Sequence, residues 1–149
     1  MRNILLLAAI IFAIVSCSKD DDSLSQFEDT IIKTGTVCGW CGGNDSLTLT
    51  IENQFYKRVS PCDDSSFTKE ETMVEKDFES LLEKLDISDF KAIDLNTCNS
   101  CADGCDTWIS IQSKDDKHYI RYGSQDSMII ETIQPFLDAV NDWRLSLRN

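Results

Sequence analysis

The sequence predicts an α+β domain: an antiparallel sheet of about five strands with two helices packed on one face, built from two ββα-like halves and stapled by disulfides. Three observations predict it. Leu47-Thr48-Leu49-Thr50-Ile51 alternates apolar and polar residues at the period of a half-buried strand. Phe78-Leu81-Leu82-Leu85 and Ile133-Phe136-Leu137-Val140 are apolar stripes of identical helical spacing. Seven cysteines in 149 residues far exceed ordinary usage and imply cross-links or ligands.

The composition bounds the rest. With 26 acidic and 14 basic side chains the formal charge is −12, so nucleic acid is excluded as a partner: phosphates are repelled rather than neutralised. The length fits one domain, and 42% hydrophobic residues suffice for a core.

Residues 1–16 read as a signal peptide. Met1-Arg2-Asn3 carries one positive charge and Ile4 to Val15 is uniformly apolar, too short to span a bilayer core of about 30 Å. Ile14-Val15-Ser16-Cys17 resembles the lipobox of bacterial lipoproteins, which implies cleavage before Cys17 and lipidation of that residue. Two or three acyl chains anchor stably, because each buried CH₂ contributes about 0.8 kcal/mol. Residues 17–26 then form a flexible acidic tether. Its run Lys19-Asp20-Asp21-Asp22 resembles the export signal of surface lipoproteins in Bacteroidetes-type bacteria. The expected location is the outer membrane, facing the cell surface or the periplasm, with residues 27–149 as the domain.

Cys38, Cys41, Cys62, Cys98, Cys101 and Cys105 remain after Cys17. Their number is even and an exported compartment favours disulfides, with fifteen pairings open. Two other chemistries use the same residues. Cys38-Gly39-Trp40-Cys41 has thioredoxin-like spacing, but Gly42-Gly43-Asn44-Asp45 follows it as a turn, where redox catalysis needs a helix. Cys38, Cys41, Cys98 and Cys101 have the spacing of a zinc site, which needs reduced thiols.

Along the chain, Phe27 to Thr36 is the first strand. Leu47 to Glu52 and Phe55 to Ser60 form a hairpin about Asn53-Gln54. This brings Cys62 level with Asp45 and suggests a bridge from Cys62 to Cys38 or Cys41. Asp63 to Lys69 reads as a polar loop. A helix runs from Thr72 or Val74 to Leu85, and Asp86 to Thr97 is a connection with a short strand over 90–93. Asn96 to Asp106 is a cysteine-rich loop, and Trp108 to Ser113 and His118 to Tyr122 form a second hairpin. Asp126 or Ser127 caps a last helix that begins near Pro135 or is kinked there, its stripe extended by Ile129 and Trp143. Each half repeats a Cys-x-x-Cys loop, an Asp, a hairpin and a helix.

This order of features resembles a bacterial envelope domain family of unknown function with a Cys-x-Gly-x-Cys-like loop before a strand hairpin. Over residues 28–143 the layout is also similar to emfourin, a protein inhibitor of thermolysin-like metalloproteases. The likeness implies a protease-inhibitor-like domain without carrying over an inhibitory residue.

Catalytic motifs do not emerge. His118, the single histidine, shares a strand face with Ile120 and Tyr122 and has no nucleophile beside it. Asp63-Asp64 and Asp115-Asp116 lack the calcium-loop pattern. Trp108 and Trp143 read as core. Trp40, in its cysteine-bounded loop, is either covered, as large apolar rings usually are, or a candidate partner contact. The expected function is non-enzymatic: a lipid-anchored binding domain without cofactor or metal, its partners the membrane and an envelope or extracellular protein. The alternatives are a protease inhibitor and a thiol-redox or zinc-binding envelope protein.

Overall fold

The computed structural model describes residues 29–114 and 116–148. The signal peptide, Cys17, the tether over 17–26 and the first two residues of the predicted domain lie outside them.

The domain is α+β. Six strands, β1 (Thr30–Cys38), β2 (Asn44–Leu49), β3 (Asn53–Ser60), β4 (Ser65–Thr72), β5 (Cys105–Ser113) and β6 (Asp116–Tyr122), form one antiparallel sheet in the order β4-β3-β2-β1-β5-β6. The helices are α1 (Glu75–Leu82), α2 (Ile87–Ala92) and α3 (Gln134–Ser146), with short 3-10 turns at Asn99–Ala102, Ser124–Asp126 and Glu131–Ile133.

Strand alternation decides which face is covered. Ile32, Leu47, Leu49, Tyr56, Ile109 and Ile120 point inward and are fully buried. They meet Phe78, Leu81 and Leu82 of α1, Phe90 of α2, and Phe136, Leu137 and Val140 of α3 in one core. Pro135 lies in the first turn of α3, where its missing N–H costs nothing, so the helix begins there rather than being kinked. Ile129 precedes it, is exposed and takes no part in the stripe. Asp86 caps α2 by accepting from the Ser88 and Asp89 N–H groups at 2.9 and 3.1 Å.

The sheet has one strand more than expected. Ser65–Thr72, read as loop at its start and helix at its end, is the edge strand β4. Phe90, expected on a short strand, sits on α2. Both helical stripes do cover the same face of the sheet. Trp108 is not in the core: it lies half-buried on the opposite face, stacked on Tyr119 at 6.2 Å, and its ring covers Gly35, where a side chain would collide with it. Trp143 is half-buried and donates to Gln54 Oε1. Among the described residues no helix is long and apolar enough to cross a membrane.

Candidate functional site

Strand register brings the cysteines of the first loop to their partners. Cys38 ends β1 directly opposite Cys105, the first residue of β5, and the two are disulfide-bonded with Cα atoms 4.0 Å apart. In the β2–β3 ladder Asn44 faces Val59. Three steps further out Cys41 comes level with Cys62, and these are bonded with Cα atoms 5.3 Å apart. Cys62 therefore takes the second of its two expected partners.

The loop between Cys38 and Cys41 is thus tied at both ends. The Gly39 N–H donates to Gly104 O at 2.9 Å and the Gly42 N–H to Gly39 O at 3.2 Å. A side chain at Gly42 would run into Cys38. Trp40 stands at the tip, 84% exposed, with φ of 50°. A non-glycine residue in that region costs about 1–3 kcal/mol and persists only where the surroundings over-determine it. The Trp40 ring is therefore not covered by the rest of the domain.

Beside the loop, a cavity of about 150 Å³ is lined by Gly42, Gly43, Asp45, Arg58, Arg144 and Arg148, among others. Arg144 is buried. Its Nη1 pairs with Asp45 Oδ1 and Thr36 Oγ1, and its Nη2 donates to Asn141 Oδ1 at 2.8 Å. The Thr36 N–H also donates to Asp45 Oδ1, at 2.8 Å. The Asp45 charge is therefore engaged, and Arg144 Nε is left buried without a partner. Arg58 and Arg148 are exposed and make no ion pair among the described residues. With Arg144 compensated by Asp45, Arg58 and Arg148 leave two exposed guanidinium groups on the rim of this cavity. Burial pushes the Tyr56 phenol up, with the Asp45 carboxylate adding to the effect.

The second cysteine loop is built around Asp106, 1% exposed. Its Oδ1 accepts from the Asn99 N–H at 3.0 Å and Asn99 Nδ2 at 2.8 Å; its Oδ2 accepts from the Ser100 N–H at 3.0 Å and Arg121 Nη2 at 2.7 Å. Burial alone would raise its pKa, but the Ser100 and Asn99 N–H groups, then Arg121, outweigh it and hold the carboxyl well below the usual range. Cys98 and Cys101 are bonded to each other across this loop. The loops closed by the three bridges differ greatly in length, with sequence separations of 67, 21 and 3. Chain entropy alone makes them worth about 4, 3 and 2 kcal/mol in that order.

Cys38 and Cys41 bond to different cysteines, so they form no dithiol pair, and the four sulfurs of the zinc spacing are distributed over three disulfides. His118 Nε2 lies 2.9 Å from Ile93 O and its ring meets Phe90 edge-on. Asp63 accepts from Ser65 in a turn, and Asp116 pairs with Lys91. The ion pairs Asp45–Arg144 and Asp106–Arg121 were not predicted. The one sequence signal for them is the aspartate that follows each cysteine loop; nothing local marks the arginines, 99 and 15 residues away. Compared with known protein families and with curated proteins, the chain matches none.

Proposed function

We propose that this chain is a lipid-anchored envelope protein, tethered through Cys17 to the outer membrane with its domain facing the cell surface, and that the domain binds another protein without catalysing a reaction. The observation that carries the binding reading is Trp40: a large apolar ring, almost fully exposed, in a strained conformation, on a loop tied down by two disulfides. Exposed tryptophans are enriched among residues that dominate binding energy, and a rigid loop loses little entropy on docking. The adjacent arginine cavity suits a partner that presents a carboxylate beside an apolar pocket. In this reading the two halves use one plan twice: a cysteine loop, an aspartate paired to an arginine, antiparallel strands and a helix. The Ile14-Val15-Ser16-Cys17 sequence supports the anchor, and the disulfides accord with an oxidising compartment.

The test places a benzophenone-bearing photo-crosslinking residue, which keeps a large apolar ring at the site, at position 40 of the full-length chain in intact cells, with Met128, equally exposed elsewhere, as the control position. The expected result is a discrete protein adduct from position 40 that is absent from position 128 and weakened by Arg58→Glu. Identical patterns from both positions, or none from position 40, contradict the proposal.

A further inference from the structure

We propose that the Cys98–Cys101 bridge is a thiol–disulfide exchange site that accepts two electrons from a protein dithiol, with Arg121 stabilising the leaving thiolate on Cys98. Exposure does not single this bridge out, because most of the six cysteines reach solvent. Three other features do.

First, Arg121 Nη2 lies 3.7 Å from Cys98 Sγ, and Ser100 Oγ lies 3.8 Å from the same sulfur. Neither of the other bridges has a cation on a sulfur among the described residues. A guanidinium beside a thiol lowers its pKa, and a thiol of lower pKa leaves faster in exchange. Asp106 shares this arginine, taking both Nε and Nη2 on its Oδ2, so Arg121 acts on Cys98 as a hydrogen-bond donor held in place by the carboxylate rather than as an uncompensated charge.

Second, the bridge joins residues only three apart on a single 3-10 turn, whereas Cys38–Cys105 ties two strands and Cys41–Cys62 closes the loops of a hairpin. Third, Asp106 holds the loop independently of the sulfurs. Its bonds to Asn99, Ser100 and Arg121 remain when the disulfide opens. The pair can therefore open without unfolding what surrounds it.

A thiolate of the partner dithiol attacks Cys101 Sγ, forming a mixed disulfide. The Cys98–Cys101 bond breaks and its electron pair goes to Cys98 Sγ, where Arg121 donates a hydrogen bond. The partner's second thiol loses its proton to water and attacks the partner's own sulfur in the mixed disulfide. This releases Cys101, which takes up a proton. The partner leaves as a disulfide and the domain carries two reduced cysteines.

The experiment uses the full-length chain, purified without reductant, and dithiothreitol as the dithiol probe. Samples are quenched with an alkylating agent at intervals and each cysteine is followed by peptide mapping, so that Cys17 is counted separately. Cys98 and Cys101 are expected to be labelled at least about tenfold faster than the other four bridge cysteines, with the near-ultraviolet circular dichroism unchanged. Arg121→Gln is expected to slow this opening about threefold or more, and Arg121→Lys to restore most of the rate. Opening of all three bridges together, earlier opening of either other bridge, or loss of the tertiary spectrum with the first two thiols overturns the proposal. Should Arg121→Gln fail to fold, the comparison of bridges in the unaltered protein still decides.

Discussion

Arg121 Nη2 and Asp106 Oδ2 lie 2.7 Å apart, with the carboxylate side chain wholly shielded from solvent and the guanidinium largely so. The pair joins β6 to the start of β5 and fixes the second cysteine loop above them, since the same carboxylate takes the loop's N–H groups.

Replacing Asp106 with Asn keeps the shape but removes the charge that these donors converge on. Breaking a buried, hydrogen-bonded pair leaves the other partner uncompensated, so Asp106→Asn is expected to lower stability by about 2–4 kcal/mol. Urea unfolding without reductant measures it.

The same carboxylate sets a pH dependence. Its folded pKa lies below the unfolded value of about 3.9, so its contribution is complete above that value and is lost as pH falls toward the folded pKa. Thermal scans from pH 6 to pH 2 are expected to show melting temperature falling below about pH 4, with a shallower fall in Asp106→Asn.

Disulfide removal is expected to be strongly unequal. Changing Cys38 and Cys105 together to Ser releases a long loop and costs about 4 kcal/mol, whereas the same change at Cys98 and Cys101 costs about 2 kcal/mol or less. Denaturant midpoints of the two double variants test the ranking.

Trp40 and Phe136 are large aromatics with opposite roles. Phe136 is fully buried, so Phe136→Ala is expected to cost about 3–5 kcal/mol. Trp40→Ala is expected to leave stability within about 0.5 kcal/mol while abolishing capture by a photo-crosslinking residue placed at Arg148, on the exposed rim of the adjacent cavity. Stability and capture measured on the same two variants separate folding from recognition.

Much of this architecture is legible in the chain because burial imposes a period. The stripes of α1 and α3 and the inward residues of β2, β3 and β5 follow from spacing alone. The β2–β3 turn is displaced: it lies at Thr50–Asn53, closed by Thr50 Oγ1 and the Asn53 N–H at 3.0 Å, rather than at Asn53-Gln54. The resulting register shift is an even number of residues, so it leaves every side chain on its face and the apolar pattern cannot detect it. It does move Cys62 from the level of Asp45 to that of Cys41. β4 escaped because an exposed edge strand has no buried side to alternate. Its sequence Ser65-Ser66-Phe67-Thr68-Lys69-Glu70-Glu71-Thr72 has Phe67 as its single apolar residue, too few to show a period. Trp108 was misplaced because a strand pattern marks a ring as apolar without saying that the face it stands on is the open one. The arginine partners of Asp45 and Asp106 arrive through tertiary contacts that no local pattern encodes.

The state of the sulfurs in the native protein decides both how the chain is anchored and how the domain is held. Its most direct test is intact mass and non-reducing peptide mapping of the chain recovered from the envelope. The expected mass is that of a product beginning at an acylated Cys17, with Cys38 linked to Cys105, Cys41 to Cys62 and Cys98 to Cys101. An unacylated product, free thiols in place of bridges, or a peptide in which Cys38 is joined to Cys41 would contradict it.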